Sequence, residues 1–133
     1  MDVDDPAGQA LAIGAGRAAL GAGLLLAPRS LGRALFRGRV GDQAQVALRL
    51  FAGREIALGL GTALAARRSG PGLRGWVEAG ALADAADVAA MAFAPAVTLR
   101  PSTRLAGTLA GTSATLWALR TADRLAAGGG VDG

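Results

Sequence analysis

The sequence predicts an all-α integral membrane protein, a four-helix bundle with short loops, and three observations carry that expectation. Four apolar stretches of near-spanning length follow one another along 133 residues. Pro, Gly and Arg clusters separate them. No stretch shows the charged face that a surface helix of a soluble protein carries.

The first stretch runs over 9–27 and stops at Pro28. The second covers 46–66 and stops at Arg67-Arg68-Ser69-Gly70-Pro71-Gly72. Around it only Arg49, Arg54, Glu55 and Thr62 are polar, as in a helix buried on all sides. The third covers 76–94 and stops at Pro95. The fourth starts near Pro101-Ser102-Thr103 and covers about 103–125; Leu105 to Leu119 carries no charge, and Arg104 and Arg120 flank it, placed to snorkel. A helix needs about 20 residues to cross the hydrocarbon. Pro at a first turn and Gly or Pro after a last turn mark the boundaries. Period-two alternation is absent and the Gly-Ala content disfavours strands. Residues 29–39 read either as a short interfacial helix, with Arg near lipid phosphates, or as a solvated basic loop. The chain reads as one transmembrane domain with a flexible tail at 128–133.

Composition agrees. The chain is 52% hydrophobic but only 4% aromatic, and its mean hydropathy is +0.38. Small residues suit helices that pack closely in a bilayer. All 14 basic residues are Arg, and they cluster between apolar runs without a nucleic-acid motif, so no nucleic-acid partner is expected. Cys, His, Tyr and Lys are absent, which removes thiolate and imidazole metal sites, Schiff-base lysines and Ser-His-Asp triads. No cofactor and no metal is expected. Asp2, Asp4 and Asp5 occupy the place of a signal peptide's positive region, so none is expected. A multi-pass location in the inner (plasma) membrane follows. Six Arg on one side against five on the other leave orientation open; four Arg after the first span and none before it favour an outside N-terminus.

Two motifs are set aside or left open. Gly14-Ala15-Gly16-Arg17-Ala18-Ala19 has the spacing of a dinucleotide fingerprint but no preceding strand, so its glycines read as helix-packing positions. The segment 15–23 is similar to 52–61 with one residue inserted, a match that either duplication or Ala/Gly-rich composition explains.

The chemistry lies in charges at one depth. Arg17 is central in the first span, Arg54 and Glu55 in the second, and Asp84 in the third, with Asp87 one turn further. A central Arg or Asp costs about 2.5–3.5 kcal/mol to insert, and each Leu or Ile returns only about 0.3–0.6. The first span's five Leu and one Ile therefore barely offset Arg17, which must face an acid inside the bundle. Depth suggests an Arg49–Asp87 pair and an Arg54–Asp84 pair. Gly107-x-x-x-Gly111 forms a close-packing face that a second copy of the chain can use, and Thr108, Thr112 and Thr115 lie beside it. The hydroxyls serve helix–helix hydrogen bonds or line a polar pocket.

The run Arg49-Leu50-Phe51-Ala52-Gly53-Arg54-Glu55, then Gly59 and Gly61, then Asp84 and Asp87, resembles a family of small four-span membrane proteins of actinobacteria. The resemblance covers about residues 10–125 and implies the topology, with no activity to transfer.

Intramembrane ionisable residues are functional candidates. The leading expectation is an intramembrane acid/base enzyme of the isomerase, epoxide hydrolase or cyclase type. Its substrate would be an apolar lipid, terpenoid or polyketide in contact with membrane lipid. Asp84, Asp87 and Glu55 would be its catalytic residues. Arg17, Arg49, Arg54, Thr108 and Thr112 would bind substrate or a developing oxyanion. A small proton-coupled transporter and a structural or accessory membrane subunit are the alternatives.

Overall fold

The computed structural model describes residues 5–36, 41–68, 72–94 and 99–128, and among these it is all-helical apart from one isolated bridge. Helix α1 spans Pro6–Leu26, α2 Pro28–Leu35, α3 Asp42–Arg67, α4 Leu73–Phe93 and α5 Pro101–Gly128. The four long helices match the four expected stretches, starting two to four residues earlier; α1 and α4 end one residue sooner, and α3 and α5 run on by one and three. The short α2 resolves the 29–39 alternatives in favour of a helix as far as Leu35. The expected flexible tail lies outside the described residues, except Gly128, which is helical.

Local chemistry sets the boundaries. Asp5 caps α1, its carboxylate accepting from the Ala7 and Gly8 backbone N–H groups at 3.0 Å, with Pro6 in the first turn. Pro28 lacks the N–H to continue α1 and opens α2 instead. Asp42 in the first turn and Arg67 in the last turn of α3 oppose its dipole correctly. The bridge between Phe36 and Leu99 ties the end of α2 to the segment that leads into α5.

The bundle runs up-down-up-down as two tight pairs. In the first, α1 and α3 touch backbone to backbone. A Cβ added at Gly14 would meet Gly59 and Ala63 backbone atoms, one at Gly59 would meet Ala18 and Gly14, and one at Gly21 would meet Ala52. In the second, Met91 covers Gly107 and Val88 covers Gly111. The Gly107/Gly111 face is therefore filled by α4 of the same chain, which corrects its expected use between copies. Between the pairs, the Trp76 ring lies over Gly61.

The interior is made of small and polar groups. Ala10, Ala52, Ala81 and Ala122 are almost fully buried, beside Glu55, Thr62 and Thr121. Both hydroxyls are satisfied within their own helices, Thr62 on the Leu58 carbonyl at 2.8 Å and Thr121 on the Trp117 carbonyl at 3.0 Å. The exterior is apolar: Leu26 is 86% exposed, Phe93 87% and Leu82 74%, with Leu60, Leu105, Leu109 and Leu116 also outward. One of the described helices, α1, is long and apolar enough by itself to cross a membrane. The charges carried by α3 and α4, and the Gly and Thr of α5, keep these helices below that apolarity.

The backbone contacts give a sharp test. Gly59→Ala places a methyl group 2.5 Å from the Ala18 nitrogen and is expected to destabilise the fold by about 1–3 kcal/mol. Gly53→Ala, with open space at its Cβ, is expected to stabilise α3 by up to about 1 kcal/mol. Thermal unfolding of the two variants decides, and equal effects would mean that α1 and α3 are not in backbone contact.

Candidate functional site: a buried chain of five charges

Five ionisable side chains from α1, α3 and α4 form one connected chain at mid-height in the bundle. Arg17 on α1 donates through Nη1 to Glu55 Oε2 at 2.7 Å and through Nη2 to Asp84 Oδ2 and to the Gly80 carbonyl, the last at 2.9 Å. Arg54 on α3 meets Asp87 with both Nη atoms, Nη1 reaching Oδ1 at 3.0 Å, and its Nη2 also donates to Glu55 Oε1 at 3.2 Å. The order is Asp84, Arg17, Glu55, Arg54, Asp87, with charge alternating along it. Glu55 stands at the centre with one oxygen on each guanidinium.

Local structure explains the geometry. Asp84 and Asp87 are three residues apart and share the face of α4 that looks toward α1 and α3. Gly80, one turn before Asp84, has no side chain where the Arg17 guanidinium passes, so Arg17 reaches the helix backbone. Phe51, three residues before Arg54, stacks its ring 4.7 Å from the guanidinium carbon. Phe51 packs in turn against the apolar cluster of Leu24, Leu48 and Ala52, together with Phe36.

The chain has an inner and an outer end. The side chains of Arg17, Glu55 and Asp84 are nearly enclosed, whereas Arg54 is 35% and Asp87 26% exposed. The outer pair is the end that opens to the surroundings. Charge counting matters here: three carboxylates face two guanidiniums.

The structure brings together five of the eight residues singled out from the sequence: Arg17, Arg54, Glu55, Asp84 and Asp87. Two pairings are corrected. Arg54 takes Asp87, one turn along α4 from the expected Asp84, because Arg17 already occupies Asp84. Arg49 does not pair with Asp87; it is exposed, about 7.5 Å along α3 from Arg54. Thr108 and Thr112 lie on α5, outside the chain. Thr108 lines a groove with Leu99, Pro101, Arg104 and Leu105, and Thr112 is exposed. Thr115, third in that stripe, bonds the Gly111 carbonyl at 2.8 Å. A second shallow cleft is lined by Gly72, Gly75, Trp76 and Ala79, so neither cleft touches the charged chain. Gly80 and Phe51 were not anticipated; their spacing of four and three residues from Asp84 and Arg54 was the available signal. Among the described residues no group of acids has the arrangement of a metal site.

The pairing is testable by double-mutant cycles. Arg17→Leu strands Asp84, leaves Glu55 with Arg54 alone, and is expected to destabilise the protein by about 3–5 kcal/mol. Arg54→Leu, being more exposed, is expected to cost less. Arg54→Leu with Asp87→Leu should recover more stability than Arg54→Leu with Asp84→Leu. The reverse ranking in thermal or denaturant unfolding would overturn the chain order.

Compared with protein-family models, curated proteins and solved structures, the chain matches none.

Proposed function

We propose that the protein is a multi-pass membrane protein, resident in the plasma membrane, and that its five-charge chain is a proton-exchanging centre of a small proton-coupled transporter. Membership of the actinobacterial four-span family belongs to the same proposal. The observation that carries the reading is the alternating chain with one carboxylate in excess, strung between two helix pairs. An excess carboxylate lets the chain take one proton and become neutral without leaving either Arg unpaired.

The membrane part rests on an inverted distribution of polarity. Glu55 is 3% exposed while Leu82 and Phe93 face outward. At mid-height Arg17, Arg54, Glu55, Asp84 and Asp87 are all paired with one another, and Arg49 lies nearer the helix end. Leu105 to Leu119 of α5 carry no charge over about 22 Å. Water does not favour such a surface; lipid does.

The mechanism follows from what the pairs connect. Arg17 and Arg54 lie on the α1–α3 pair, and Asp84 and Asp87 lie on the α4–α5 pair. Asp87 faces Arg54 and Glu55 from α3 and Asp84 along its own helix, and α5 has no charged residue at this height. When Asp87 takes a proton, its pair with Arg54 weakens, while Arg54 stays on Glu55 and Arg17 stays on Asp84. The tie between the two helix pairs loosens, so proton binding and the arrangement of the pairs are linked. A protonatable acid coupled to movement of one helix group against another is what such a transporter needs. Arg49 lies outside the chain, so the balance of charge in it is acidic and not neutral, as a proton pathway needs.

The partly exposed Arg54–Asp87 end favours a second reading, the acid/base enzyme. There Asp87 would exchange a proton with an apolar substrate and Arg54 would hold its developing negative charge. Conversion of a lipid-like substrate, lost in Asp87→Asn, would select it.

Two measurements test the proposal. The protein should stay with washed membranes and need detergent to remain monomeric; a folded monomer in plain buffer refutes the membrane reading. Because the chain has no Cys, spin labels at Leu50→Cys on α3 and Leu109→Cys on α5 report on the two pairs alone. Acidification should shift their distance distribution, and Asp87→Asn should give the acid distribution at neutral pH. One unchanged distribution throughout would exclude the coupling.

A further inference from the structure

The two ends of the bundle differ in charge. At one end, the described residues 26–36, 41–49 and 99–104 carry five Arg and a single acid, Asp42. At the other, the described residues 5, 67–68, 72–78 and 120–128 carry five Arg and three acids. The more basic end also holds a surface groove of about 440 Å³ lined by Leu99, Pro101, Arg104, Leu105 and Thr108. That volume is in the range of small-molecule sites. Its walls are apolar except for Arg104 and the Thr108 hydroxyl.

Arg104 sits at the junction of groove and headgroup level. Its Nη2 donates to the Ala94 carbonyl at 2.5 Å, closing the end of α4 and leaving further N–H donors for a second acceptor. Arg100, one turn earlier, is exposed beside it. Across the bridge from Phe36 to Leu99 lies α2, whose Arg29 and Arg33 are also exposed. In membrane proteins, basic pockets between helices on the side of the anionic leaflet hold anionic headgroups.

We propose that this groove is a binding site for an anionic phospholipid. An acyl chain lies along Leu99, Leu105 and Thr108, and the phosphate takes Arg104 and Arg100, with Arg29 and Arg33 adding field. The proposal rests on the membrane reading and orients the bundle: the α2 end faces the anionic, cytoplasmic leaflet. Both termini of the described chain, at the opposite end, then lie outside.

The test is titration of detergent-purified protein with phosphatidylglycerol, phosphatidylcholine or inorganic phosphate, read by thermal shift and by native mass spectrometry. Phosphatidylglycerol should bind and stabilise, and the other two should not. Removing Arg100 (R100Q) should weaken binding about fivefold, and removing Arg104 as well (R104Q) by about the same factor again. Since Arg104 also closes α4, Thr108→Phe provides an independent variant: it fills the groove, keeps every Arg, and should abolish selective binding. Arg120→Gln at the other end should leave binding unchanged. Equal affinity for the two lipids, or phosphatidylglycerol binding that survives Thr108→Phe, overturns the site. An equal response to inorganic phosphate overturns the lipid as ligand. A protein that needs detergent yet shows no lipid selectivity refutes the site and leaves the membrane reading intact; one that is monomeric without detergent refutes both.

Discussion

Everything in the interior depends on Glu55. Its carboxylate is shared between Arg17 and Arg54, and those two guanidiniums reach α4 from two directions. A carboxylate that is 3% exposed is expensive to bury unless its lone pairs are occupied. Here both oxygens are occupied by charged donors, which are the strong kind. Remove Glu55 and the two Arg lose the anion between them, leaving two positive charges close together in a low dielectric. The apolar residues offer little replacement, since most of the buried core is Ala and Gly.

The two kinds of helix contact in the bundle behave differently. Within each pair, glycines let backbones or side chains close to van der Waals distance, and such packing is a steep function of separation. Between the pairs, α4 meets α1 and α3 through a small apolar cluster and Trp76 over Gly61 and, at mid-height, through the long, jointed side chains of Arg17 and Arg54. Arg17 and Arg54 can follow a carboxylate through a small displacement without losing it. The charged side chains therefore sit on the seam between two closely packed halves. Gly80 belongs to the same design: with no side chain of its own it lets Arg17 touch α4 without forcing the helices apart.

How much was legible in the sequence varies with the range of the interaction. The four long helices were legible because Pro28, Gly72 and Pro101 act locally, on the turn they begin or end. The depth of Arg17, Arg54, Glu55 and Asp84 was legible too, since rise per residue fixes depth along a helix. Which acid meets which Arg was not. Depth leaves the rotation of each helix undetermined, and one turn of α4 separates the correct partner from the wrong one. The exclusion of Arg49 had the same cause. Its distance along α3 was known, but its direction away from α4 follows from where Gly59 and Ala52 pack against α1. The use of Gly107 and Gly111 within the chain depended on Met91 and Val88, whose facing no local signal announces.

Parity separates a lock from a switch. An even chain of buried charges, each paired, has one low-energy state: any proton gained or lost leaves a partner stranded, at a cost of several kcal/mol. An odd chain with acids at both ends has two. Fully ionised, every Arg is flanked by two acids and the chain carries one negative charge. With one terminal acid protonated, the remaining four charges still pair completely and the chain is neutral. Low dielectric penalises the net charge of the first state, and the added contacts at the terminal acid compensate for it. Neither state strands a charge, so each is reachable from the other. In the described structure the terminal acid nearer the surroundings, Asp87, is also the one that links the outer edge of α4 to α3. In the proposed transporter, the site where a proton arrives is thus the site where its arrival changes the packing. A purely structural ion-pair network has no need of that coincidence, and a sixth charge, such as Arg49 turned inward, would abolish it.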